Sequence, residues 1–485
     1  MANIHKSAAL AAVDAHAPTI LSVSDQIWEF AELSLLERKS AALYADTLRR
    51  LGFEVEEGLG GIETAFSGSF GKGKPVIGFL AEFDALSGLS QEGCSAERRP
   101  LVEGGHGHGC GHNLLGAGAL AAAVAVKRYL EDTGKPGTVI FYGCPGEEGV
   151  ASKAFLARDG VWRKLDAALT WHPGTANQVA SGSCIASLQY EYRFTGTASH
   201  AAAAPHMGRS ALDAVELMNL GVQFLREHMP STARIHYSIT DAGGDSPNVV
   251  QPGATVLYMI RDHKVSEAIR LKERVDRIAQ GAALMTDTRY ASQFVDGTAE
   301  TIPNEPLEKL LYKNFSEIGV PQATEEELEF AQKLRGTMDI NPAAIIDEMS
   351  GGDDALEDII REKSDGASRA YNDFLIPYKF SKRVHMGSTD VGDVSFQTPT
   401  AQIRCAAVPS GTPGHSWQEV SCGVSSMAHK AVLLAGKVLA GAGIDLIDEP
   451  GLLDDARAAF AGATRDGYHC PIPADAQARP QNLKG

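Results

Sequence analysis

The sequence predicts an α/β protein whose main domain is a mixed, mostly parallel sheet flanked by helices, with a smaller β-α-β-α domain inserted into it. Three observations support this. Short apolar runs at 75–80 (PVIGFL), 138–142 (TVIFY) and 167–171 (AALTW) each end in polar or glycine-rich segments, the pattern of strands buried on both faces. Between the first two lies 114–132 (LLGAGALAAAVAVKRYLED), a small-residue helix able to sit close to a sheet before Gly134 and Pro136 stop it. Around Gln189 the character changes. QYEYRFTG alternates as an antiparallel strand does, 210–228 reads as a helix, 255–260 (TVLYMI) as a strand and 267–285 as a helix.

The boundaries follow from that order. Residues 1–187 form the first part of the main domain, 188–300 the insertion, and 301–485 the part that completes the main domain, the insertion having an ordinary domain length. The first thirty residues carry Asp14, His16 and Pro18 before any long apolar segment builds up, so they read as an amphipathic helix of the mature chain rather than a secretory leader. Residues 325–382 are polar and read as helices and loops decorating the main domain, and the segment after Ala474 reads as loosely ordered.

Composition narrows the function classes. At 485 residues and 51.5 kDa the chain is longer than one hydrophobic core supports, so two or three domains are expected. A net charge of −17 repels phosphate backbones and anionic lipid, and no basic run reverses it locally, so neither nucleic acid nor membrane is an expected partner. Seven cysteines, an odd number scattered over a long chain, argue against a disulfide framework and for a reducing compartment, the cytoplasm by default.

Four segments carry candidate chemistry. In GGHGHGCGHNLLG, Cys110 and His112 pair a thiolate with an imidazole, a donor set that suits zinc or another transition ion, and the glycines let the backbone bend round it. In CPGEEG, directly after an apolar strand, Glu147 and Glu148 point in different directions, so one can hold an ion while the other faces substrate. His172 ends the strand in TWHPG, and His415 sits in the loop GTPGHSW. Singly, each histidine reads equally as a structural or surface residue. Together Cys110, His112, Glu148, His172 and His415 supply enough mixed donors for two ions sharing a bridge, and the absence of C-x-x-C spacing speaks against a closed structural site.

CGHN, CPGEEG, WHP, SHAAAAPHMGRSALDAV, SPNVVQPGA and GTPGHSW occur in this order, and with them the chain resembles the aminoacylase/carboxypeptidase metallohydrolases. Within that family it is most similar to the amidohydrolase branch that acts on aminobenzoyl-glutamate, near the indole-acetyl-amino-acid hydrolases. The similarity runs from about Asp25 to Pro473. It implies two divalent ions, Mn2+ or Zn2+, with Cys110 bridging, His112, Glu148, His172 and His415 as the other ligands, and Glu147 as general base. It further implies that Asp84, in EFDAL, is a carboxylate standing behind the ligands. The insertion then serves as a lid and dimer contact, in which His200 reaches a neighbouring subunit's site to polarise the scissile carbonyl and Asn248 touches substrate. The chain departs from many relatives at Gly109 and at Asn113, where an aspartate is usual, which removes a charge expected beside the metals.

The implied reaction is hydrolysis of the amide of an N-acyl amino acid, with p-aminobenzoyl-glutamate or an indole-acetyl conjugate as substrate. A substrate carboxylate calls for a guanidinium, and Arg209 and Arg261 are the candidates, each equally readable as a salt-bridge residue. A homodimer, or a heterodimer with a related subunit, is implied. A dipeptidase or aminopeptidase of the same superfamily, and a non-catalytic subunit of a hetero-oligomeric hydrolase, are the readings that remain open.

Overall fold

The computed structural model describes residues 3–480. In chain order its strands are β1 (Glu54–Glu57), β2 (Phe66–Lys72), β3 (Val76–Ala81), β4 (Gly137–Gly143), β5 (Ala167–Gly174), β6 (Gln178–Ala180), β7 (Ser183–Cys184), β8 (Ala186–Thr195), β9 (Arg234–Asp241), β10 (Gly253–Asp262), β11 (Arg289–Thr298), β12 (Val384–His385) and β13 (Thr400–Ala406). The main sheet has the order β1-β2-β4-β3-β5-β13-β6. Its centre, β4, β3, β5 and β13, is parallel, and both edges turn antiparallel. This is the predicted mixed sheet, with the parallel strands where both faces are covered.

Small residues set the close packing on that sheet. The helix His112–Thr133 is buried along nearly its whole length. A Cβ on Gly118 would lie 2.3 Å from Trp171 Nε1, and one on Gly436, in the helix Ser426–Asp448, would lie 2.4 Å from Ala121 Cβ. Trp171 Nε1 donates to the Leu115 carbonyl at 2.8 Å, fixing the helix against β5. The helix Ile4–Phe30 adds Val13, Ile20, Val23 and Ile27 to the same core and carries Pro18 within it. On the opposite sheet face, Phe155, Trp162, Leu80 and Ile140 form a second core with the segment around Ile472. Residues 474–480, expected to be loose, partly pack: Ala476 and Ala478 rest on this core and Arg158 Nη1 donates to the Ala476 carbonyl. The remainder of that tail lies outside the described residues.

Residues 186–298 form a separate antiparallel sheet in the order β11-β8-β10-β9. The helices Ala211–Arg226 and Val265–Thr286 cover one face, with Tyr192, Val215, Val256, Tyr258 and Val275 between. The β-α-β-α reading thus gains two strands. Both β9 and β11 are edge strands with many exposed residues, so neither shows the apolar alternation that marks a half-buried strand. Between 325 and 363 three helices occur as expected: Glu325–Arg335, Pro342–Ser350 and Asp354–Lys363. All seven cysteines are free, and no helix among the described residues is long and apolar enough to cross a membrane.

Because the two long helices meet through Gly436 and Ala121 with no spare space, Gly436→Val should overpack this contact and cost about 1–3 kcal/mol. Chemical denaturation compared with wild type checks this.

Candidate functional site

The carboxyl ends of parallel strands and one helix start converge on a single spot, the usual place for a site in an open α/β sheet. Strand β3 leads into Glu82 and Asp84, β4 into Glu147 and Glu148, and β5 carries His172 near its end. His112 is the first residue of its helix, and Gly111 before it has φ 72°. A Cβ there would lie 2.6 Å from Pro173 Cγ, so both the backbone turn and the space require glycine. Beyond β13, His415 adopts φ 55°, and its N–H donates to the Gly109 carbonyl at 2.8 Å, which ties the two donor loops together.

Cys110 is common to two groups of donor atoms, each lying within 4.8 Å of one another: Cys110, His112 and His172, and Cys110, Glu148 and His415. Cys110 Sγ is 3.5 Å from His172 Nε2, and His415 Nε2 is 3.5 Å from Glu148 Oε1. Two donor atoms here are buried without a hydrogen bond, His112 Nε2 and Glu148 Oε1. Orphaned buried polar atoms are rare and call for a partner. Both belong to these groups, and the thiolate, imidazole and carboxylate set fits divalent transition ions. Glu147 joins a third group with Glu82 and His112.

The ionisation of the site follows from burial and neighbours. Burial, then the neighbouring His112, pushes His172 down to about 4, which keeps it a neutral imidazole. Burial raises the Cys110 thiol well above its usual range. Burial opposes ionisation of Asp84, but His112 Nδ1 at 2.9 Å, the Glu148 N–H and the Ser34 hydroxyl outweigh it and bring the carboxyl to about 2. Burial, then the charges of Glu82, Glu148 and Asp390, raises Glu147 well above the carboxylate range. A cation placed beside it would pull in the opposite direction.

The structure brings together Cys110, His112, Glu148, His172, His415, Glu147 and Asp84. His200, Asn248, Arg209 and Arg261 stand in the 186–298 unit, and their hydrogen bonds do not reach this cluster. His200 and Asn248 are neighbours there: His200 bridges to Val249, and the Asn248 carbonyl accepts from Ala201. The His200 Nδ1 accepts from Ala202 and Ala203 N–H groups. Arg209 pairs with Asp287 at 2.8 Å and caps the carbonyls of His206 and Gly208, so its guanidinium braces a loop. Arg261 lies against Met259 Sδ and donates to the Met386 carbonyl. Asn113 turns away from the cluster, donating to Ser24 and Gly423, so the missing aspartate charge is not beside the donors.

Sequence reading missed the ion network beneath the donors. Lys153 is fully buried, with Nζ 2.7 Å from Glu82 Oε1 and 2.5 Å from Asp390 Oδ1, and Glu82 Oε2 is 3.2 Å from His112 Nε2. Burial opposes ionisation of Glu82, but Lys153, His112 and His172 together hold it below its usual range. Glu419, raised to about 8 chiefly by burial, closes the cluster near His112 and Glu148. Only the i, i+2 spacing of Glu82 and Asp84 after a buried strand hinted at any of this.

A sheet whose parallel strand ends present mixed sulfur, nitrogen and oxygen donors beside a buried carboxylate defines the metallopeptidase-like class of hydrolase. The chain belongs to Peptidase family M20/M25/M40, whose model matches residues 78–350, more than half of its length. It is 43% identical over 466 residues to one of the two kinds of subunit of the p-aminobenzoyl-glutamate hydrolase of Escherichia coli (strain K12), covering 95% of this chain and 96% of that protein. To the other kind of subunit of the same E. coli hydrolase it is 26% identical over 366 residues, covering 64% of this chain and 82% of that one. The crystal structure of an aminobenzoyl-glutamate utilization protein from Klebsiella pneumoniae shares the fold, with a TM-score of 0.57 at 18% identity over 87% of this chain and 97% of that one.

Lys153→Met would leave Glu82 and Asp390 buried without their counter-charge. The expected loss is about 3–5 kcal/mol of stability, measurable as a lowered denaturation midpoint.

Proposed function

We propose that the chain hydrolyses the amide bond of N-acyl amino acids, p-aminobenzoyl-glutamate or a similar conjugate such as an indole-acetyl amino acid. The observation that carries this reading is a thiol common to two donor triads with a separate carboxylate, Glu147, alongside. Family membership and the 43% identical E. coli relative support it. In this reading Cys110, His112, Glu148, His172 and His415 hold two divalent ions, Mn2+ or Zn2+, whose chemistry is to lower the pKa of water towards neutrality and polarise a carbonyl oxygen.

The protein's own residues do the rest. Glu147 takes the proton from the attacking water and returns it to the leaving amine, acting first as base and then as acid. Its enclosed position favours proton uptake. Asp84 fixes the tautomer and orientation of His112 through the 2.9 Å bond to Nδ1, as carboxylates behind metal-binding histidines commonly do. The 188–300 segment acts as lid and dimer contact: His200 polarises the scissile carbonyl from a neighbouring subunit, with Asn248 beside it on substrate. The partner is a second copy or a related chain. The pairing of two related chains in the E. coli hydrolase supports this, as does the open edge of β9 with exposed Tyr237 and Ile239.

Glu147→Gln should retain its metal by elemental analysis yet lose about 10²–10⁴-fold in kcat on p-aminobenzoyl-glutamate; near-normal turnover rejects the role. Treatment with a chelator should abolish hydrolysis, and adding back Mn2+ or Zn2+ singly should restore it, the better ion identifying the natural pair. An unaffected rate after metal removal, checked by elemental analysis, would overturn the metal-dependent reading.

A further inference from the structure

The cluster opens beside a cavity of about 110 Å³ that none of the residues read from the sequence lines. Arg404 stands in its wall. On β13 it is in register with His172 on β5 and with Gln178 on β6, so its side chain shares the sheet face of the donor His172. Cys184, another lining residue, feels the charges of both Arg404 and Glu147, which places the cavity next to the reacting centre. From there it runs away from the cluster towards Glu308 and Tyr378.

The other charged groups in the wall are committed. Lys379 is ion-paired with Asp353, and Glu308 accepts from Ser181 Oγ at 2.7 Å and Tyr378 OH at 2.9 Å. Arg404 is not. Its nearest carboxylate, Glu348, stands 3.8 Å away and is 62% exposed, a pairing of the kind worth little. The volume is smaller than the roughly 150 Å³ cavity that admits a benzene, so the space suits a short polar chain rather than an aryl group.

We propose that this cavity is the subsite for the side chain of an acidic amino acid, with Arg404 gripping its terminal carboxylate. The proposal rests on the amidohydrolase reading and names what that reading leaves open, the group that selects the amino acid. A guanidinium fork binds a carboxylate through two parallel hydrogen bonds. The direction of the cavity, away from the donors, assigns it the side-chain carboxylate of a dicarboxylic residue and leaves the α-carboxylate near the amide. Arg404 thereby replaces Arg209, which is spent on Asp287.

The test is calorimetric binding of N-(4-aminobenzoyl)glutamate and N-(4-aminobenzoyl)glutamine to metal-loaded Glu147→Gln protein, with and without Arg404→Met. The glutamate conjugate should bind about 10- to 100-fold tighter than the glutamine conjugate, the range of a charge-assisted pair. Arg404→Met should erase that preference by weakening the glutamate conjugate alone, and Arg404→Lys should restore part of it. A preference that survives Arg404→Met, an equal loss for both conjugates, or no preference at the outset overturns the proposal. The readout needs no turnover. An Arg404-dependent preference in a chain whose Glu147-intact form hydrolyses neither conjugate would uphold the subsite and refute the hydrolase reading.

Discussion

The carboxylate of Asp84 holds the centre together. It accepts from His112 at the start of a helix, from the backbone N–H of Glu148 after β4, and from Ser34 in the N-terminal segment. Three separate parts of the chain thus share one buried anion. Charge-assisted bonds of this kind are strong and directional. They orient one donor imidazole and set the loop from which both glutamates project.

Around that anion the fold accepts a high density of buried charge. Lys153, Glu82 and Asp390 lie beneath the donors, and Glu147 and Glu419 beside them. A buried ion pair adds little net stability, because desolvation offsets the attraction. What such a network contributes is definition: each carboxylate has one place to point. The stability that tolerates it comes from elsewhere, from the close contact of the small-residue helices with the sheet at Gly118, Ala121 and Gly436.

Much of this was legible in the sequence, for a physical reason. Strands covered on both faces leave continuous apolar runs, so β3, β4 and β5 were readable, and glycine-flanked donors at their ends marked the centre. Strands β9 and β11 were not, because exposed edges carry no apolar period. The antiparallel turn of the main sheet at both edges was equally hidden, since register depends on partners far along the chain. Lys153 reads as an ordinary helix lysine until Glu82 and Asp390 close on it. Arg404 shows the same limit: only the pairing of β13 with β5 sets it beside His172, whereas Arg209 and Arg261, plausible as isolated letters, are held by Asp287 and Met386.

Seven thiols are free in this chain, and one of them, Cys110, belongs to both donor triads. Oxidation of that sulfur to a sulfinic or sulfonic acid is irreversible without dedicated repair. A single chemical lesion would strip a donor from both halves together, so oxidative damage to the centre would be all-or-none rather than graded.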